Sequence, residues 1–288
     1  MEMIALTSVT KKYGDTPVLK NITLQIDGPG IYCLLGRNGA GKTTLLKSIA
    51  GYQNITEGTI EVDGTAIAAS TLDTGVSYIE NFAKHFKLPV QKLLRIASQV
   101  NPSYDSDFAF EMAERFELDG KKKFHHLSLG MKTMVSTIIC LASSKSVILL
   151  DEPVLGFDAV MRAAFYDMLA ESFQKRPRTI IVSTHIIEEI AKTVHKLIII
   201  DRGRILFFDT LQAVEDKAFS LSGLRKDVDA ATKNLNVIGR DAVGGLVTSY
   251  IFDEPPATDA SLELRRLSLQ DFFIQMVGHI GHKGGEHL

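Results

Sequence analysis

The sequence predicts an α/β fold. Its core is a mostly parallel sheet, with an antiparallel β part at the N-terminus, a helical region over about 89–142 and a small α+β appendage over 216–288. Three observations predict it. The short apolar runs "GIYCLLG", "SVILLDEP", "RTIIVSTH" and "KLIIIDRGRILFF" alternate with helix-like stretches, the pattern of a parallel sheet covered on both faces. The first thirty residues instead carry the alternating runs "IALTSVT" and "VLKNITLQI" around "KKYGDTP", which read as strands joined by a turn. With 288 residues, 45% of them hydrophobic, the chain can bury one large core, with or without a smaller second one.

In chain order, "GIYCLLG" is a buried strand closed by a glycine, and "KTTLLKSIAG" has helical spacing at Leu45, Leu46 and Ile49 with Gly51 as its stop. "EGTIEVDGTAI" reads as a hairpin. Between 89 and 142, Leu93, Leu94 and Ile96 and the run "FAFEMAERFEL" give helical periodicity. Residues 1–215 form the main domain. After about 215 the texture changes, and "NLNVIGRDAVGGLVTSYIFDEPPATDASLELRRLSLQDFFIQMVG" (234–278) reads as two or three strands, a proline-bearing loop and a helix. The glycine-rich tail "GHIGHKGGEHL" holds three histidines and reads as a disordered terminus rather than a metal site.

A formal net charge of −2 and a pI near 6.5 exclude the broad basic footprint of a nucleic-acid binder. The only two cysteines, Cys33 and Cys140, sit in apolar runs, so neither a disulfide framework nor a thiolate metal site is expected, and a reducing cytosol fits. No run reaches the ~18 to 20 apolar residues of a membrane span, and the N-terminus lacks a signal-peptide pattern. The expectation is a cytosolic chain that does not itself cross a membrane.

Three stretches carry chemistry. Gly36, Arg37, Asn38, Gly39, Ala40, Gly41, Lys42 and Thr43 fit G-x-x-x-x-G-K-[ST]. Glycines let such a loop curl its N–H groups around phosphate oxygens, and the helix that follows adds its positive end. Lys42 would reach the β and γ phosphates, and the Thr43 hydroxyl would ligate Mg²⁺. "VILLDEP" ends an apolar strand in Asp151, placed to hold Mg²⁺ through water, and in Glu152, an acceptor for an attacking water. His185 follows another apolar strand, at the sheet end where α/β proteins bind ligands. A fourth stretch, "HHLSLGMKTM", opens a helix with a second phosphate-friendly turn more than eighty residues downstream of the first.

Tyr13, "GRNGAGKTT" (36–44), "LSLGM" (127–131), "VILLDEP" (147–153), "LGFD" (155–158) and "STH" (183–185) together resemble, in order and spacing, the ATP-binding-cassette (ABC) transporter ATPases over roughly residues 1–215. The resemblance implies a phosphate-loop NTPase fold and binding of ATP with Mg²⁺. Tyr13 would stack on adenine, Lys42 and the loop through Thr44 would hold the phosphates, and Asp151 would serve the metal. It further implies that Glu152 is the catalytic base, that His185 senses the γ-phosphate and that Asp158 crosses a dimer seam. Ser128 and Gly130 would bind ATP held by a second cassette packed head to tail, which explains the second turn.

Two stretches depart from the family pattern. L-S-G-G-Q becomes Leu127-Ser128-Leu129-Gly130-Met131, keeping the serine and the glycine nearest the phosphate. "GVSYIEN" stands where the family has a glutamine loop that ligates Mg²⁺; an ungapped match puts Glu80 there, and a one-residue slip puts Asn81. These departures and "SLQDFFIQMVG" are similar to bacterial exporters of drugs and peptides, of the bacitracin and phenol-soluble-modulin types. The implied partners are a separate transmembrane permease, docked near "NFAKHFKLPVQKLL", and a second cassette. Transported drug or peptide would not touch this chain, which would lie peripherally on the cytoplasmic face of the membrane. The competing reading is a soluble mechanical ATPase acting on DNA or ribosomes. Such proteins usually add a coiled coil, zinc cysteines or a second cassette, which this sequence lacks.

Overall fold

The computed structural model describes residues 2–68, 71, 74–80, 86–256 and 262–278. The chain divides into two compact units, Met1–Val194 with Ile200–Ile205, and His195–Ile199 with Leu206–Leu288.

In the first unit, β1 (Glu2–Tyr13) and β2 (Thr16–Asp27) pair antiparallel. Alternation, shifted by irregular pairing between Leu6 and Val9 and again between Val9 and Lys11, buries Ile4, Leu6 and Val9 from one strand and Leu19, Ile22, Leu24 and Ile26 from the other. β3 (Gly30–Leu35) is buried along its whole length and leads through the phosphate-type loop into α1 (Lys42–Ile49). β4 (Glu57–Val62) and β5 (Thr65–Ala66) form the expected hairpin and complete an antiparallel sheet ordered β2-β1-β4-β5.

β6 (Val76–Glu80) precedes three helices, α2 (Val90–Val100), α3 (Ser106–Arg115) and α4 (Leu129–Leu141). The Asp105 carboxylate starts α3 by accepting from the Phe108 N–H at 2.9 Å. β7 (Val147–Asp151) follows, then α5 (Ala159–Lys175), β8 (Thr179–Ser183) and the short α6 (Ile187–Ile190).

β3, β8, β7 and β6 are parallel neighbours in that order. Every residue of β7 and β8 is buried, as a sheet covered on both faces requires. Burying one Leu, Ile or Val stabilises by roughly 1.5–3 kcal/mol, so these runs anchor the unit. Their register aligns Glu80, Asp151 and Ser183 across three carboxyl ends. The site is therefore set by strand pairing.

β9 (Lys196–Asp201) and β10 (Arg204–Thr210) are divided between the units. The second unit continues with α7 (Leu211–Lys217), β11 (Ala218–Leu224), α8 (Arg225–Ala231), β12 (Val237–Val243), β13 (Leu246–Phe252), β14 (Glu263–Arg266) and α9 (Leu269–Gly278). β12-β13-β11-β14 form an antiparallel sheet over Phe219, Leu221 and Ile251. The stretch 234–278, read as two or three strands, holds three, β12, β13 and β14; β11 lies ahead of it and adds a fourth, buried at four successive residues and so without clear alternation. The division expected near 215 also differs: residues from 206 onward belong to the second unit. Phe207 explains this, with ring centroids 5.2 Å from Phe252 and 5.0 Å from Phe272. The tail histidines lie outside the described residues. Among those described, no helix is long and apolar enough to cross a membrane.

Candidate active site at the strand ends

The loop between β3 and α1 is closely held. A Cβ at Gly36 would lie 2.5 Å from the Ile200 carbonyl oxygen, so this position excludes any side chain. Gly39 and Gly41 have φ of 79° and 109°, a region that glycine enters without steric cost. The Ala40 N–H donates to the Arg37 carbonyl at 3.0 Å, and the Ala40 carbonyl accepts from the Gly203 N–H at 2.9 Å. The first turn of α1 carries no acidic side chain, so its N–H groups and positive end are left for an anion. Arg37, Asn38 and Gly39 are exposed and Ala40 is buried; with Asp201 and Arg202 they line a cavity of about 210 Å³.

Lys42 is 7% exposed, and its ammonium donates to the Gly36 carbonyl at 2.7 Å and lies 3.7 Å from Glu152 Oε1. Thr43 is exposed and Thr44 half-buried on the first turn of α1.

At the end of β7, Asp151 is 6% exposed; its Oδ1 accepts from the Ser183 hydroxyl at 2.5 Å and its Oδ2 from the Tyr78 hydroxyl at 3.4 Å. Glu152 stands in the left-handed region, with φ 48°. Its N–H is held by the Ser183 carbonyl at 3.1 Å and the Ser183 hydroxyl oxygen at 3.0 Å. That backbone turn aims the carboxylate between Lys42 and His185, whose Nδ1 is 2.9 Å from Glu152 Oε2. Beneath lies Cys33, whose thiol is pushed up by burial and further by the Glu152 charge, with Lys42 opposing; it stays protonated and inert.

A second group of residues gathers around α4 and α5. The Ser128 hydroxyl oxygen caps α4 by accepting from the Met131 N–H at 3.2 Å. Gly130 packs so closely that a Cβ would meet the Gly156 carbonyl oxygen at 3.1 Å and the Phe157 ring at 3.2 Å. The exposed Asp158 caps α5, accepting from the Met161 N–H at 2.8 Å. The turn from Glu152 to Asp158 joins the two groups, with the Leu155 N–H donating to the Glu152 carbonyl at 3.2 Å. Leu129, Leu155 and Val160 are exposed around it.

Tyr13 ends β1, half-exposed, its hydroxyl accepting from Gln53 and Lys11 Nζ 5.1 Å from its ring centroid. Glu80 closes β6 opposite Asp151; its side chain, and Asn81, lie outside the described residues. The structure thus brings Lys42, Asp151, Glu152 and His185 together. It adds Ser183, Tyr78 and Gly203, to which the sequence reading gave no task. Ser183 stands inside "STH" and Tyr78 inside "GVSYIEN", so the motif strings held them unassigned.

The ABC transporter family model matches residues 19–155. ABC transporter ATP-binding protein YtrB of Bacillus subtilis (strain 168) is 28% identical over 252 residues, 86% of each chain. The aliphatic sulfonates import ATP-binding protein SsuB of Bacillus thuringiensis subsp. konkukian (strain 97-27) is 31% identical over 192 residues, 66% of this chain and 76% of the relative. The bacitracin transport ATP-binding protein BcrA of Enterococcus faecalis is 29% identical over 209 residues, 71% of this chain and 68% of the relative. A solved ATP-binding subunit of an ABC transporter shares the fold, with a TM-score of 0.67 at 24% identity over 74% of this chain and 92% of the other. By the family model and these relatives the chain belongs to the ABC transporter family as an ATP-binding subunit, one of a family of ATPases whose cassettes dimerise and work with a membrane permease.

Proposed function

We propose that this chain is the ATP-hydrolysing subunit of an exporter of peptides or drugs. It works on the cytoplasmic face with a separate membrane-spanning permease and a second cassette. The observation that carries the catalytic reading is the contiguous Lys42–Glu152–His185 arrangement beside the phosphate-type loop.

ATP phosphates enter the loop, where backbone N–H groups and the start of α1 receive them. Lys42 exchanges its internal partner, the Gly36 carbonyl, for phosphate oxygens. Glu152 accepts the proton of the attacking water at Oε2, and His185 holds that carboxylate in place through Nδ1. Tyr13 stacks on adenine. The donors for a divalent cation are hard oxygens, the Asp151 carboxylate held by Ser183 and Tyr78 and the exposed Thr43 hydroxyl, and Mg²⁺ fits them. The family resemblance would add a further oxygen from Glu80, or from Asn81 one residue on. When bound, Mg²⁺ supplies neutralising charge to the phosphates.

A second cassette covers the exposed Leu129, Leu155 and Val160, bringing Ser128, Gly130 and Asp158 to the nucleotide in its partner's loop. Export is supported by the likeness to a Nod factor export ATP-binding protein and by the departures "LSLGM" and "GVSYIEN"; the sulfonate import proteins pull the other way. Inverted membrane vesicles carrying the cassette and its permease separate the two. ATP-dependent uptake of a labelled amphipathic peptide into inverted vesicles is the expected result. Uptake confined to right-side-out vesicles loaded with ATP would make the system an importer.

A further inference from the structure

Arg178 stands just before β8 and is 3% exposed, a depth at which a cation normally has a carboxylate partner. Its three acceptors are instead neutral. The guanidinium donates to the Leu141 carbonyl, to the Ser143 carbonyl at 2.6 Å and to the Ser172 hydroxyl at 2.8 Å. Leu141 ends α4, Ser143 lies just beyond, and Ser172 sits on the last turns of α5. Arg176 adds a bond to the Ser143 carbonyl at 3.2 Å, and the Asp105 N–H takes the Ala142 carbonyl at 2.9 Å. At the carboxyl end of α4, where carbonyls and dipole favour a cation, the carbonyls of Leu141, Ala142 and Ser143 are thereby engaged. Burial lowers the guanidinium to about 10, so it is still charged at neutral pH. The void beside it, about 10 Å³, is too small for a phosphate. Arg178 therefore acts on the helix ends and not on a ligand.

Those two helices carry Ser128 and Gly130, and Asp158, at their opposite ends. α4 spans 13 residues, a rod of roughly 20 Å at about 1.5 Å per residue, so a tilt released at one end is felt at the other. We propose that Arg178 is a positioning residue that clamps the carboxyl end of α4 to α5, so that Ser128 and Gly130 meet the nucleotide held by the partner cassette. The proposal rests on the shared-site reading above. A competing route runs through the backbone of β8 to Ser183 and His185, and would act on the subunit's own nucleotide.

Complementation distinguishes them. Arg178→Met removes the charge but keeps an unbranched side chain. Arg178→Lys keeps a cation that lacks the guanidinium fork, and serves if the methionine variant does not fold. Nucleotide binding by the monomer should stay within about twofold of wild type, while ATP-dependent closed dimers, read by cross-linking between tagged subunits, fall about tenfold or more. The variant is then mixed with Lys42→Ala, defective in its own loop, and separately with Ser128→Asp, defective in the turn it offers its partner. Closure should return in the Lys42→Ala mixture, where one intact loop meets one intact turn, and stay lost with Ser128→Asp. The reverse pattern would assign Arg178 to its own site. Unchanged closure in the variant homodimer, or loss in every mixture, would likewise overturn the proposal. Mixing Lys42→Ala with Ser128→Asp is the control: if that pair alone fails to close, the shared-site reading has failed, and the proposal with it.

Discussion

Glu152→Gln is the substitution whose outcome is best defined by the geometry. The amide keeps the shape of the carboxylate, and the backbone N–H bonds to Ser183 that set the residue at φ 48° do not involve the side chain. The loop, Asp151 and His185 should therefore keep their places. What is lost, on the proposed function, is a base. General-base catalysis contributes roughly 10²–10⁴ in rate, about 3–5 kcal/mol of barrier, and turnover should fall by that factor. Binding should move the other way. Glu152 Oε1 lies 3.7 Å from Lys42 Nζ, a gross attraction of about 4 kcal/mol at an effective dielectric near 20. Glu152 is 22% exposed, so after screening and desolvation the net competition with incoming phosphate is about 1 kcal/mol, or roughly fivefold in affinity.

Phosphate release under steady state measures the first effect, and titration with a fluorescent ATP analogue measures the second. Turnover within about threefold of wild type would rule Glu152 out as the base, since that is barely half a decade. Weaker nucleotide binding would show that its charge supports the phosphate rather than competing for Lys42.

Two further outcomes follow from packing and charge. Gly203, at φ 78°, has its N–H on the Ala40 carbonyl, and an added Cβ would fall 2.1 Å from the Val18 carbonyl oxygen. Gly203→Ala should cost about 2–5 kcal/mol from the left-handed backbone and the overlap together; a denaturant unfolding change below about 1 kcal/mol would refute that reading. His125 has a buried Nδ1, and burial first, then His126, Lys123 and Lys87, hold its pKa below the ordinary 6.5, with the Phe86 carbonyl opposing. The unfolded chain then takes up a proton that the folded chain refuses, so stability falls as pH drops from about 6.5 toward the lowered value. Thermal melts across that range should slope less in His125→Gln, and equal slopes would remove His125 as the cause.

The loop at 36–43, the acid pair at 151–152 and His185 are legible in the sequence because each depends on its own strand and turn. Gly41, at φ 109°, favours glycine for the backbone, and Lys42 follows it in the phosphate-loop pattern. Ser183 is different. It binds Asp151 and the Glu152 N–H only because β7 and β8 pair with Asp151 opposite Ser183. An apolar run does not encode its register. The positive φ of Glu152 is equally silent, since glutamate is not a residue that advertises it. In the second unit, β11 is buried at four successive residues and β14 is exposed at all four, so neither shows the period-two signal of a half-buried strand. Phe207 lies in a run that reads as one continuous strand signal, and its ring contacts with Phe252 and Phe272, within the second unit, are not legible in that run.

The turn "LSLGM" is a case where fold and function ask for the same residues. Ser128 caps α4, and Gly130 leaves room for the Gly156 carbonyl and the Phe157 ring, so a single subunit already requires a capping side chain and a glycine here. Contact with a partner's ATP has to be tested apart from those demands. Substitution at Gly130 cannot do so, because any side chain meets the 3.1 Å approach of Gly156. Ser128 can. In Ser128→Asp the carboxylate still accepts from the Met131 N–H and favours the positive end of α4, so stability should stay within about 0.5 kcal/mol of wild type. Ser128→Ala loses the cap and should cost about 1 kcal/mol. For dimer closure the order inverts. The alanine turn only loses a donor, whereas the aspartate sets a like charge against the γ-phosphate, a juxtaposition that costs several kcal/mol. Unfolding should therefore rank wild type and aspartate above alanine, and ATP-dependent closure should rank wild type above alanine above aspartate. If closure instead follows stability, with the aspartate variant closing as wild type does, Ser128 is a helix cap and nothing more.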